Sequence, residues 1–210
     1  MIEFSQLYFF VPAALALLLV PGPAVLYITA RSANQGRLAG LISVLAIETA
    51  NLIQAVAAAL GLSAILLSSA LAFDIVKYLG AAYLVYLGIR KLISPASQFQ
   101  KEQFKRESLW RIYWQGFVVN ILNPKTALFF FAFLPQFINP HIGNTTGQTL
   151  LLGLIFVGLG TVTDSLYALA ASSLGAKLAE NKRFQKGQQY FTGLIYVGLG
   201  ITTALTGSKK

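Results

Sequence analysis

One stretch constrains this chain more than any other: Ile121-Leu122-Asn123-Pro124-Lys125 sits inside an otherwise apolar run from Trp110 to Ile138. Proline has no amide hydrogen and its ring collides with the carbonyl four residues back, so a helix through Pro124 breaks or kinks there. The run is long enough to cross a bilayer, which takes about 20 residues at about 1.5 Å of rise each. A lysine near the middle of a span costs roughly 2.5 to 3.5 kcal/mol on insertion scales, so Lys125 is expected to face a partner or a wet cavity rather than lipid.

Composition supports a membrane reading. With 56% hydrophobic and 11% charged residues and a mean hydropathy of +0.65 over 210 residues, the chain lacks the charge of a soluble domain. It is read as one all-α integral membrane domain covering residues 1–210, with no long polar segment left over for an extramembrane module. The net charge of +9 then belongs to loops and to the anionic headgroups of the lipid bilayer, and no nucleic acid is implied as a partner. There are no cysteines, and the lone histidine, His141, lies in a loop. No disulfide, thiol relay, metal site, cofactor or catalytic residue is therefore expected. Met1-Ile2-Glu3-Phe4 lacks the basic start of a signal peptide and leads into an apolar stretch too long for its core, so it reads as a retained first span.

Six transmembrane helices are expected. Span 1, about Phe4 to Ala30, is interrupted by Pro21-Gly22-Pro23, and carbonyls freed by the two prolines must face protein or water because lipid cannot satisfy them. Span 2, about Leu38 to Ser68, is long enough to be tilted or broken near Gly61, and it carries Glu48, Asn51 and Gln54 at steps of three, hence on one face. The two amides read equally as a functional stripe or as hydrogen-bonding glue between helices, whereas a buried Glu48 must be paired, hydrated or protonated. Span 3 covers about Ile75 to Leu92, and the basic loop from Ser94 to Arg111 reads as an interfacial helix followed by aromatic anchors at Trp110, Tyr113 and Trp114. Span 4 carries Asn120, Asn123, Pro124 and Lys125, then Phe129, Phe130, Phe131 and Phe133, which read as a lipid-facing or packing surface. Span 5, about Leu150 to Leu174, has Asp164 near its centre, and span 6 runs from about Gln189 to Leu205.

The two halves repeat. Gly40-Leu41-Ile42, Val44, Asn51, Ala55, Ala57 and Ala58 recur 113 positions later as Gly153-Leu154-Ile155, Val157, Asp164, Ala168, Ala170 and Ala171. Gly80 and Tyr83 recur as Gly193 and Tyr196; after a gap of one residue, Leu87-Gly88-Ile89 recurs as Leu199-Gly200-Ile201, and Pro23 corresponds to Pro124. The expected architecture is thus a 3+3 inverted repeat with proline-broken first helices: repeat one over 1–93, the basic loop 94–111 and repeat two over 112–210. An odd number of spans per unit makes the two units cross in opposite senses. Twelve of the lysines and arginines follow spans 1, 3 and 5, which by the positive-inside rule puts both termini outside the cytoplasm.

Pro21-Gly22-Pro23 in the first span, and Gly116-Phe117, Asn120, Asn123-Pro124-Lys125, Phe131 and Leu134-Pro135-Gln136-Phe137 in the fourth, resemble the lysine exporter (LysE/RhtB) family. The resemblance spans essentially the whole chain. It implies a multi-pass exporter of amino acids or their derivatives in the inner or plasma membrane, driven by proton antiport, with Asp164 at an acidic family position in span 5. This chain departs from the family at Gln54, where members often carry histidine, and at Glu48, where they carry small residues.

Together these residues suggest a site framed by the two breaks. Half-helix N-termini suit a substrate carboxylate, and Lys125 adds positive charge. Asp164, with Glu48 as a second carboxylate, suits an ammonium group or a proton. The rival expectation is a non-transporting scaffold or an intramembrane enzyme, for which the chain offers no paired carboxylates at a recognisable spacing and no Ser/His dyad. A homo-oligomer is compatible with the sequence.

Overall fold

The computed structural model describes residues 4–68, 70–93, 106–140, 143–180 and 182–205. His141 and most of the basic loop, 94–105, lie outside the described residues. Every described element is helical, the α-helices being α1 (Phe4–Leu18), α2 (Pro23–Gln35), α3 (Arg37–Ser68), α4 (Ala70–Ile93), α5 (Leu109–Ile121), α6 (Pro124–Leu128), α7 (Thr145–Glu180) and α8 (Lys182–Leu205). By length and composition α3 and α7 can each cross a membrane, and the bent pairs α1–α2 and α5–α6 raise the candidate spans to four. Shorter apolar stretches, Ala81–Arg90 and Gly193–Leu205, lie in α4 and α8.

Both expected proline breaks are present. The axis turns by 54° between α1 and α2 and by 47° across Asn123. Pro23 and Pro124 open the second helix of each pair, where a missing amide hydrogen costs nothing. Pro12, inside α1, ends nothing. The α3 helix runs through Gly61 without a break, so the extra length of span 2 is one continuous rod. Gly36, at φ 88°, makes the sharp turn between α2 and α3 that a side chain would strain. Residues 106–108 are not helical, and α5 starts at Leu109 with the Ser108 hydroxyl accepting from the Arg111 amide.

One face of α3 shows why a membrane suits it. Leu38, Leu41, Leu45, Leu52, Val56 and Leu60 recur at steps of three, four or seven residues and are exposed, while Ser43, Ile47, Asn51 and Gln54 on the other face are buried. That is apolar outside and polar inside, the reverse of a soluble helix. Trp110 stacks on Tyr113 and Trp114 meets both rings edge-on at the start of α5, where an aromatic anchor is expected.

Small residues let the long helices touch. A methyl group at Gly40 would lie 3.1 Å from the Ala168 methyl, and one at Gly153 would lie 2.6 Å from the Ala55 methyl. Residues 40 and 55 of α3 thus meet residues 168 and 153 of α7, in antiparallel order and reciprocally at the 113-residue offset. The α4 and α8 helices also meet reciprocally, here at an offset of 112: Gly88 abuts the Gly193 carbonyl and Val197, and Gly200 abuts the Ala81 carbonyl and Val85. With lipid as apolar as leucine, such close backbone approach is what holds helices together.

The phenylalanine run is a packing surface. Phe129, Phe130 and Phe133 are buried with Phe10 and Phe156, and the Phe129 and Phe156 rings stack at 4.2 Å. Phe129–Phe133 forms a π-helical turn in which the Leu134 amide reaches back to the Phe129 carbonyl, followed by a 3-10 turn through Pro135.

Candidate functional site

The two breaks open carbonyls, and specific side chains close them. Pro23 cannot donate to the carbonyl of Leu19; the Tyr167 hydroxyl of α7 does so instead, at 2.9 Å. Pro124 cannot donate to the carbonyl of Asn120; the Gln54 amide of α3 does so at 3.0 Å and also reaches the Ile121 carbonyl at 3.2 Å. Pro21 leaves the Leu17 carbonyl to the amide of Val20, and the Val20 carbonyl accepts from Lys125 Nζ. Lys125, 8% exposed, therefore ties one break to the other.

Asn120 is the hub of the second break. Its Nδ2 donates to the Ile47 carbonyl at 2.9 Å and to Asn51 Oδ1 at 2.6 Å, and its Oδ1 accepts from Asn123 Nδ2 and from the Thr126 hydroxyl. Asn123 Oδ1 in turn accepts from the Lys125 amide, capping α6. A buried amide with all four of its capacities used holds its neighbours in one arrangement.

These groups line a cleft between α1, α2, α3, the α5–α6 junction and α7. Gly22, Asn51, Asn120, Asn123, Lys125 and Asp164 meet there, with Thr126 and an apolar wall that includes Leu17, Ile47 and Phe156. Counting the open space at its mouth the cleft measures about 350 Å³, and its interior has room for a water molecule or two. A larger occupant requires the helices to part. The N-terminus of α2 has no side-chain cap, and Ala24 and Val25, whose amides precede the first helical bond at Leu26, line the cleft. Asp164 is 3% exposed, and its carboxylate accepts no hydrogen bond from any described residue.

Of the residues singled out in the sequence, Pro21, Pro23 and Pro124 shape the backbone. Glu48 and Gln54 are buried behind Asn51 and do not line the cleft. The hydrogen bonds of Asn51 and Gln54 make both of them interhelical glue, and Asn51 also reaches the cleft. Tyr167, Thr126 and Phe156 were not singled out. Tyr167 stands 113 positions after Gln54, so the internal repeat was the signal that could have found it. At the far end of α2, Arg31 donates to Gln115, Gln35 to the Glu107 carbonyl and Ser32 to the Ala168 carbonyl, fastening α2 to α5 and α7.

The sequence model of the LysE type translocator family matches residues 15–207. The chain belongs to that family. Translocators of this family are multi-pass membrane proteins and not enzymes, which sets the enzymatic alternative aside. Among relatives, the membrane protein YrhP of Bacillus subtilis is 33% identical over 206 residues, covering 94% of this chain and 97% of its own. The homoserine/homoserine lactone efflux protein of Salmonella typhimurium is 30% identical over 167 residues, covering 80% and 81%. The membrane protein PA4757 of Pseudomonas aeruginosa is 31% identical over 186 residues, covering 83% and 82%. No solved structure matches the chain. As a member of that family the protein is a translocator.

Proposed function

We propose that this LysE family member exports amino acids or close derivatives by proton antiport, with cargo held in the cleft between the two breaks. The observation that carries the reading is the meeting of Lys125, Asp164 and the uncapped α2 N-terminus in one buried cleft. A carboxylate suits the free amides of α2 and the Lys125 ammonium, and an ammonium group suits Asp164, so a zwitterion is gripped at both ends. The amides of Asn51, Asn120 and Asn123 supply neutral hydrogen bonds between them. The homoserine named for a relative is a cargo of this kind, and it is the first compound to try.

Six spans in a 3+3 inverted repeat are the proposed architecture, with residues 1–210 as one transmembrane unit and both termini outside the cytoplasm. Its support is the reciprocity of the contacts: Gly40 with Ala168 answers Ala55 with Gly153, in antiparallel order, and Tyr167 on Leu19 answers Gln54 on Asn120. Antiparallel equivalents across a two-fold axis cross a membrane in opposite senses, the design that supports alternating access.

Purified protein in sealed liposomes tests the function. Labelled homoserine and a panel of other amino acids are expected to move against their gradient when a pH gradient is imposed, and Lys125→Ala and Asp164→Asn are expected to abolish that movement at normal protein levels. Transport by both variants at the wild-type rate overturns the site.

A further inference from the structure

Glu48 is the one acidic residue of the α3 polar face, and the cleft does not use it. It is 6% exposed; Oε2 accepts from Asn51 Nδ2 at 3.0 Å, while Oε1 is buried without a hydrogen-bond partner. Across the contact between α3 and α7 the carboxyl group faces the backbone of Gly160 so closely that a methyl there would lie 2.6 Å from Oε1. Asp164 is the charged group that faces it from α7. The neighbouring Tyr167 hydroxyl is engaged at Leu19, Lys125 of α6 is engaged at Val20, and α5 meets this region with the amide of Asn120. A carboxyl oxygen in such a place, with a second carboxylate opposite and no cation beside it among the described residues, is held far more cheaply as a neutral acid than as an ion.

We propose that Glu48 carries the exchanged proton, at a station separate from the cleft where Asp164 meets the cargo's ammonium group, and that the Asn51–Asn120 amide pair joins the two. The proposal rests on the export reading above and names the group that couples it. Asn51 is oriented by its neighbours: Oδ1 accepts from Asn120, so Nδ2 points at Glu48. A proton on Oε1 leaves Oε2 free to go on accepting from Asn51, so loading and unloading disturb no hydrogen bond.

Electrostatics make cargo and proton exclude each other. An ammonium group settling on Asp164 brings positive charge near Glu48 and favours its ionised form, and the proton leaves. When the cargo departs, the Asp164 carboxylate again disfavours a second charge, and a proton returns to Glu48. One proton binds a carboxylate oxygen on one side and is released on the other, with no other bond made or broken. The seal at Gly160 must open before water reaches Oε1, which confines the exchange to states in which α3 and α7 have moved apart.

The test uses the full chain in sealed liposomes with labelled homoserine and two readouts: accumulation driven by a pH gradient, and exchange of labelled for unlabelled homoserine with no gradient. Glu48→Gln is expected to keep exchange within about twofold and to lose driven accumulation by about tenfold or more, with part of it restored in Glu48→Asp. Asp164→Asn is expected to lose both. Driven accumulation by Glu48→Gln at the wild-type level overturns the assignment, as does loss of exchange in a variant that elutes like the wild type. Should Glu48→Gln fail to fold, Gly160→Ala, which keeps the carboxylate and crowds Oε1, is expected to weaken accumulation more than exchange, and equal loss of the two overturns the assignment. Wild-type protein that performs neither process overturns the export reading itself, a result visible without any variant.

Discussion

The Tyr167 hydroxyl rests on the carbonyl of Leu19, four residues before Pro23, just as Gln54 rests on that of Asn120, four residues before Pro124. Each break is thus mended by a residue of the other half, and the two menders occupy equivalent places in the repeat. A carbonyl left bare in an apolar slab is costly, which is why a proline in such a place needs a donor nearby.

Removing a donor is expected to show in stability before function. Tyr167→Phe keeps the ring and deletes one neutral hydrogen bond, a loss of about 1 kcal/mol, whereas Gln54→Leu strands the Ile121 carbonyl and leaves the Asn120 carbonyl with the Asn123 amide alone, at a cost of about 1 to 3 kcal/mol. Thermal unfolding in detergent should rank the proteins as wild type, Tyr167→Phe, Gln54→Leu in falling order of midpoint.

The reciprocal glycine contacts predict a rescue. Gly153→Ala drives a methyl to 2.6 Å from that of Ala55 and is expected to destabilise by about 1 to 3 kcal/mol, as overpacking does. Ala55→Gly in the same chain makes room and is expected to recover most of that loss, and the unfolding midpoints of the two single variants and the double variant form the cycle that checks it.

Asn120 is expected to tolerate change less than its size suggests. Asn120→Asp replaces the amide that donates to the Ile47 carbonyl and Asn51 Oδ1 with an acceptor facing two acceptors. Each group stranded this way costs about 1 to 3 kcal/mol, so Asn120→Asp should express poorly or unfold well below Asn123→Asp, which keeps the oxygen that caps α6. Yield and unfolding midpoint, compared side by side, decide it.

The proposed topology makes the α5–α6 pair one bent crossing. Because the chain has no cysteine, Arg106→Cys and Pro140→Cys give single-thiol reporters without further changes. In intact cells a membrane-impermeant maleimide is expected to label Pro140→Cys at once and Arg106→Cys after permeabilisation alone. Equal labelling of both in intact cells would mean that α5 and α6 enter and leave on one face.

Much of this was legible in residues. Pro21-Gly22-Pro23 and Asn123-Pro124 marked where helices break, the ring's missing amide acting there together with a flexible or capping neighbour, whereas Pro12 by itself leaves α1 continuous. The offset of 113 between Gly40 and Gly153 foretold which helices would meet, since small residues recur where backbones touch. Lys125 and Asp164 announced themselves by the cost of charge in an apolar run. What the sequence withheld was who serves whom. Gln54 stood in line with Glu48 and Asn51 and read equally as part of a functional stripe or as glue between helices; that it mends the α5–α6 break was not legible, because a 100° step per residue says which face a side chain shares but not which carbonyl lies across from it. The phenylalanines after Phe129 turned inward for a similar reason: Phe10 and Phe156 come from distant stretches, and their arrival to complete the cluster is a tertiary event.

The crossed arrangement of Tyr167 and Gln54 has a temporal side. A ribosome that has finished the first three helices has made the Pro21–Pro23 gap but has yet to reach codon 167, so the early half enters the bilayer with its wound open. Inserted early segments are therefore obliged to wait, shielded by translocon or water, until α7 is threaded, and truncation anywhere before Tyr167 is expected to yield fragments that quality-control proteases clear.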